Sequence, residues 1–594
     1  MREEGRMQDS AEGNALLHKE QLAPPQEQAI PSTKFIHSKS TRMWSKAVLI
    51  IVTGLILYCT FGMLFDNLLL VITAGSANPA KILDAQGMVE GDAVALKKEK
   101  VPQYFQTTPE LWAGPTPTGR APFLAQTNPV SFAPTVTFVP NTPLETAMPI
   151  VGQKQNESIF HLMGQLSPYA PSPSGFGVSE YPLPPGANIT QVHAKMLSRH
   201  GSRYPTSGAN VNVFGNKMNN LTGTFQASGQ LTFLNNWKYE LGREILVPRG
   251  RQELFESGIL HYYQYAQLYN PNSKIIVRTT TQDRMLKSAE YFMAGFFGLE
   301  WRNNATIEVI IEAPGFNNSL AGYLNCKNAN SFRNAGGPNA TAEWVGIYLQ
   351  NATERLKPLI DGLVLTVEDV AYGYSAFCDL FTYEEWLHFE YSHDLYFAGS
   401  SGFQSPTGRA VGLGYVQETI ARLQNHTLGY SGSQINTTLD SSLETFPLNQ
   451  SLYFDFSHDT NINSILTAFG FRQFNSFLPS THYPGPHNLT VSHLQPFGAR
   501  LDIEIIKTPS PLSAQRVYEE GEETTYIHFI LNQRTLPLGL NFPECDAGRL
   551  DGWCKLDTFL KTQEKAEELA KFDEACNGDY EAVPYGQIVD GAPA

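Results

Sequence analysis

Cysteine is scarce in this chain. Six among 594 residues are too few for a disulfide-built scaffold, yet enough for two bridges in an oxidising compartment. Charge is sparse at 17%, but hydrophobic residues reach 42%, which excludes a chain too polar to bury a core. Basic residues are outnumbered 42 to 57, for a formal charge of −15. That balance argues against nucleic-acid binding, and any anionic ligand has to meet a local cluster of Arg or Lys. No fixed-period repeat is present.

Long apolar runs are absent with one exception. Residues 47–65 (AVLIIVTGLILYCTFGMLF) are uncharged throughout, and at 1.5 Å per residue they reach roughly 28 Å, one hydrocarbon core. The run is too long and starts too late for a cleaved signal peptide, so an uncleaved anchor is expected. Lys34, Lys39, Arg42 and Lys46 precede it and Asp66 follows it, which places the N-terminus in the cytosol. Glycosylation sequons sit at Asn156, Asn188, Asn220, Asn304, Asn317, Asn339, Asn351, Asn425, Asn436, Asn449 and Asn488, all after the run and none before it. The expectation is a single-pass type II membrane glycoprotein, with an extracellular or lumenal body. Residues 1–46 read as a cytosolic tail and 66–150 as a Pro/Thr-rich stalk, since Pro at that density opposes helices and central strands. Residues 151–594 read as one folded unit, with apolar runs bounded by turns alternating with amphipathic segments: an α/β pattern.

Three runs in that unit end in residues with chemistry. QVHAKMLSRHGSRYPT (191–206) reads as a strand delivering Arg199, His200, Gly201 and Arg203 at its end, where open α/β sheets form their ligand crevice. Guanidinium forks hold phosphate oxygens, Gly admits close backbone approach, and a neutral imidazole can attack phosphorus. KIIVRTTTQDRMLKSAEYFMAGFFG (274–298) reads as a strand ending at Arg278, then a helix carrying Met285, Ala289, Phe292 and Phe296. SLYFDFSHDTNINSILTAFG (451–470) reads as a strand with one buried face, Leu452, Phe454 and Phe456. A helix capped by Thr460 or Asn461 follows it. His458 and Asp459 then lie between strand end and helix N-terminus, a favourable place for an anion. Ser392-His393-Asp394 repeats the tripeptide of residues 457–459, but with helical spacing at Trp386, Phe389 and His393 it reads as a helix face.

RHGSRYPT resembles the signature of the histidine acid phosphatases, and the region from about residue 159 to 576 is similar to their fungal phytase branch. The resemblance implies a mostly parallel, doubly wound sheet with flanking helices and a smaller helical cap. It implies phosphate-monoester hydrolysis at acidic pH through a phosphohistidine, with phytate among the candidate substrates and no metal or other cofactor. By the same resemblance His200 is the nucleophile, Asp459 the proton donor, His458 a phosphoryl-binding neighbour, and Arg199, Arg203 and Arg278 the phosphate clamps. Arg284, further on, is expected to be structural. Alternatives are an inositol-polyphosphate phosphatase of the same superfamily, a non-catalytic binding glycoprotein on this fold, and a phosphoglycerate-mutase-like transferase. The partner is a small phosphorylated substrate, and oligomeric state stays open. Cys545 and Cys554 are close enough to close a small loop, and the resemblance pairs Cys326 with Cys576. Cys378 is left free, since LTVEDVAYGYSAFC lacks the upstream partner that relatives carry. Lys217, Lys238, Arg243 and Arg249 read as solvated loop charges.

Overall fold

The computed structural model describes residues 150–594, apart from 156, 240, 374–376 and 431 and the side chains of 191–195. The expected tail (1–46), the anchor (47–65) and the stalk up to residue 149 lie outside the described residues. Among the described residues no helix is long and apolar enough to cross a membrane.

One sheet organises the molecule. Its strands are β1 (Asn188–Arg199), β2 (Ile275–Thr280), β3 (Ala305–Ile310), β4 (Leu452–Ser457), β5 (Arg500–Thr508), β6 (Thr524–Leu531), β7 (Arg534–Leu536) and β8 (Cys554–Lys555). The order across the sheet is β8-β6-β5-β1-β4-β2-β3, with β7 beside β6. β1, β4, β2 and β3 run parallel, while β5 to β8 join antiparallel. The sheet is therefore mixed, with the expected parallel winding confined to one half. That half ends together at one edge, because parallel neighbours share a direction.

Helices cover both faces. On one side lie α2 (Pro248–Tyr265) and α3 (Asp283–Phe297), on the other α6 (Gly408–Leu423) and α7 (Asp459–Phe469). Pleating sends successive residues of β1 to opposite faces. Met196 accordingly joins a core with Phe292, Phe296 and Phe454, whereas Leu197 joins Ile462, Ile465 and Leu413. All six residues of β4 are buried, so its polar positions are covered as well as its apolar ones. A central strand with helices on both faces has no solvent side. The helical cap contains α1 (Asn210–Leu221), α4 (Gly336–Tyr348) and α5 (Tyr383–Ser400). Thr382 and Glu385 close a capping box at the start of α5. Among the described residues two disulfides form as expected, Cys326–Cys576 and Cys545–Cys554, and Cys378 is free.

Candidate active site

β1 and β4 are parallel neighbours in a register that places Arg199 opposite Ser457. One residue further on, His200 and His458 leave the sheet side by side, their rings 5.7 Å apart. β4 passes directly into α7: His458 is the N-cap and Asp459 the first helical residue. The cap is thus the histidine itself, two residues earlier than Thr460 and three earlier than Asn461.

His200 is almost fully buried. Its Nδ1 lies 2.9 Å from the Gly201 carbonyl, which can only accept, so Nδ1 carries the proton and Nε2 keeps its lone pair. Burial first, then the positive charges of Arg199, Arg284, Arg203 and His458, hold this imidazole well below its usual range. Both effects disfavour the charged ring.

Arg199 is wholly buried, with Phe497 4.4 Å from its guanidinium carbon. Its Nη1 donates to the carbonyls of Gln165 and Gln495, and its Nη2 lies 2.7 Å from Asp459 Oδ2. Arg203 donates to the Tyr204 carbonyl at 3.0 Å. Burial, then Arg284 and Arg199, bring its guanidinium down to about 10, so it stays charged. Arg284, in the first turn of α3, pairs with Glu244 at 2.7 Å. Each of these three guanidinium groups keeps a buried Nε–H without a hydrogen-bond partner. Buried donors without partners are costly. Three of them on mutually interacting cations amount to a receptor for an oxyanion.

Arg278 is not part of this receptor. β2 continues two residues past it, to Thr280, so Arg278 stops short of the strand end, level with Asp455. Its Nε and Nη2 bind Asp455 at 2.8 Å each, and Nη2 also binds Glu418 at 2.6 Å. Its donors are thus committed to carboxylates inside the core. The expected clamp Arg278 is thus bound within the core, whereas Arg284, expected to be structural, lies close enough to His200, Arg199 and Arg203 for its charge to act on all three. A strand count carried through Thr280 would have found this, because the first turn after a parallel strand belongs to the crevice.

Asp459 accepts from the Thr460 amide at 2.8 Å besides its pairing with Arg199. Burial pushes its carboxyl up, but Arg199, the amide, His458 and Arg203 outweigh this and hold it below the usual range. Glu312, which the sequence did not single out, lies 3.0 Å from His458 Nε2. The repeated tripeptide lies within α5, as its spacing predicts. Asp394 accepts from Val491 at 2.6 Å and pairs with His487 at 2.9 Å, so the tripeptide is not a second site. His393 is close enough to Asp459 to feel its charge, though burial dominates and brings the ring down to about 4. Of the four cations read as loop charges, Lys238 and Arg243 are exposed, Lys217 pairs with Asp369 at 2.6 Å, and Arg249 lies 3.5 Å from Glu253.

A neutral imidazole with a free Nε2, an oxyanion receptor, a carboxyl group and a second imidazole can together transfer a phosphoryl group. Residues 188–532 match the model of the histidine phosphatase superfamily, branch 2. Phytase A of Aspergillus fumigatus is 32% identical over 449 residues, 69% of this chain and 89% of that protein. Phytase A of Aspergillus oryzae is 30% identical over 436 residues, 68% of this chain and 88% of that protein. The crystal structure of the phytase from D. castellii, 23% identical, covers 73% of this chain and 92% of its own with a TM-score of 0.55, a likeness of fold.

Proposed function

The chain belongs to branch 2 of the histidine phosphatase superfamily and is a histidine acid phosphatase, and from that premise we propose how its pocket works. His200 Nε2 attacks phosphorus in line while the bond from phosphorus to the leaving oxygen breaks. Protonated Asp459 gives its proton to that oxygen. Water then attacks the phosphohistidine, Asp459 takes up a proton, and the P–N bond breaks to free phosphate and neutral His200. Arg199, Arg203 and Arg284 neutralise the phosphoryl charge throughout. The observation that carries this reading is the set of three buried, unpartnered Nε–H donors beside an imidazole whose free nitrogen is Nε2.

The shifts of the two central groups fit an acid enzyme. Burial and the neighbouring cations oppose protonation of His200, so its lone pair persists further into acid than that of an ordinary imidazole, while Asp459, held below the usual carboxyl range, takes up its proton only in acid. Asp459 is held down chiefly by Arg199. A bound phosphate monoester draws on the same guanidinium and adds negative charge, which raises the proton affinity of the carboxylate. The substrate thereby prepares its own proton donor.

Phytate is proposed among the substrates because the relatives that match most of this chain are phytases. Residues 47–65 are proposed to anchor the chain, with 1–46 cytosolic, 66–150 a stalk and 151–594 the catalytic body outside. The uncharged run, its basic flank and the one-sided sequons support that topology. A carbonate-washed membrane pellet containing the endoglycosidase-sensitive chain is the expected result, and an unglycosylated soluble chain contradicts it.

The full chain assayed on phytate, glycerol phosphate and nitrophenyl phosphate between pH 2 and pH 7 tests the activity. Asp459→Asn is expected to slow glycerol phosphate by about 10²–10⁴-fold, the usual worth of a positioned acid. Nitrophenolate leaves without a proton and should lose far less. Equal losses on both substrates refute the donor role.

A further inference from the structure

Two residues beyond β3, at the edge of the sheet, Glu312 buries its carboxylate: the side chain is only 1% exposed. Ile311 beside it is exposed, so the chain turns a carboxylate inward where solvent was available. Isolated buried carboxylates are strongly disfavoured, and this one is satisfied from four places. Thr280 at the end of β2 and Gln282 before α3 donate to it. Tyr323 Oη donates at 3.0 Å and His458 Nε2 at 3.0 Å. Tyr323 also packs edge-on against the His458 ring, centroids 5.9 Å apart.

A carboxylate only accepts, so the proton shared with Glu312 sits on His458 Nε2. In the imidazolium form the second proton is on Nδ1, and that N–H is the donor left for a phosphoryl oxygen. We propose that Glu312 is a positioning residue for phosphoryl transfer: its buried carboxylate clamps His458 through Nε2 and so aims Nδ1 at the group that His200 receives. The inference rests on the phosphatase reading of the pocket and assigns a task to a residue that touches neither substrate nor nucleophile.

The clamp has to survive acid, where the enzyme works. Burial pushes the Glu312 carboxyl up. His458 and the hydrogen bonds from Thr280 and Tyr323 outweigh burial and hold it at about 2. With a folded value below the unfolded one, the interaction is complete above about pH 4.5 and is lost only as pH falls through about 2.

Steady-state kinetics on the full chain test the assignment. Glu312→Ala is expected to lower kcat by about 10–100-fold, as a mispositioned catalytic group does, with KM changing less than about threefold. Glu312→Gln keeps an acceptor oxygen for Nε2–H, and Gln282 and Tyr323 can turn to meet its amide. It should recover most of the lost kcat, which a role resting on charge alone would not allow. In a His458→Ala background, Glu312→Ala should cost less than about twofold, because the clamp then has nothing to hold. If the Ala variant does not fold, Glu312→Asp, one methylene too short to reach Nε2, is read in its place with the same expected loss. Wild-type kcat in Glu312→Ala or Glu312→Asp overturns the assignment, as does a full multiplicative loss without His458. An inactive wild-type chain overturns the phosphatase reading instead, so the two failures are distinguishable.

Discussion

His200 can act as a nucleophile only while uncharged, and its surroundings enforce that state. Burial, Arg199, Arg284, Arg203 and His458 all disfavour a second proton on the ring. The same arginines bind the phosphoryl group, so one cluster both neutralises the substrate and keeps the nucleophile ready. Which arginines belong to the cluster is testable. Arg284→Ala should lower kcat by about 10²–10³-fold, as loss of a transition-state donor does, with the fold intact. Arg278→Ala should remove the cation that binds both Asp455 and Glu418, leaving Arg422, 4.0 Å from Asp455, as a weaker neighbour, and cost about 3–5 kcal/mol of stability. Folded Arg278→Ala molecules should retain kcat within about threefold. Urea titration together with kcat reads both variants, and the opposite pattern restores Arg278 to the pocket. Arg199, His200 and Asp459 were legible because their motifs end runs with clear strand periodicity. The two arginines were confused because sequence spacing does not show where β2 stops. Glu312 carried no signal at all: a single carboxylate after an edge strand acquires meaning only when Thr280, Gln282, Tyr323 and His458 close around it.

The elements that position the nucleophile meet at a crossing without room for side chains. A Cβ on Gly201 would lie 2.2 Å from the Gly250 carbonyl oxygen, and a Cβ on Gly250 1.9 Å from that of Ser202. The first turn of α2 thus rests on the loop that follows β1. Glu253, one turn along α2, accepts the Ser202 amide at 2.8 Å and its hydroxyl at 2.9 Å. Gly250→Ala is expected to destabilise the protein by about 1–3 kcal/mol, the usual cost of overpacking. It should lower kcat more than about tenfold by displacing the loop that carries His200. Thermal melting and turnover read this together, and wild-type values for both contradict the crossing. The strand-loop sequence was legible. Its contact with α2 was not, because nothing in the spacing from 201 to 250 indicates that two glycines touch.

Across the whole molecule, two bridges close loops of very different length. Cys326–Cys576 spans 250 residues and Cys545–Cys554 spans 9. Loop-closure entropy makes the first worth about 5 kcal/mol and the second about 3. Paired Cys→Ser variants compared by urea unfolding should rank in that order, and equal losses contradict an entropic origin. The α/β class was legible from alternating elements. The antiparallel half of the sheet was not, because β5 and β6 carry no motif and bury their polar positions as well as their apolar ones. The acidity of the chain and the cationic pocket coexist because Arg199, Arg203 and Arg284 are sequestered between β1 and α3, apart from the surface that carries the net charge. Phosphoryl transfer from substrate to His200 is the central step in this pocket. Rapid acid or alkali quenching of the full chain after mixing with a ³²P-labelled monoester at acidic pH tests it most directly. An alkali-stable, acid-labile phosphoenzyme is expected in the wild type and none in His200→Ala, which should also lose turnover. A phosphoenzyme or undiminished turnover in His200→Ala contradicts it.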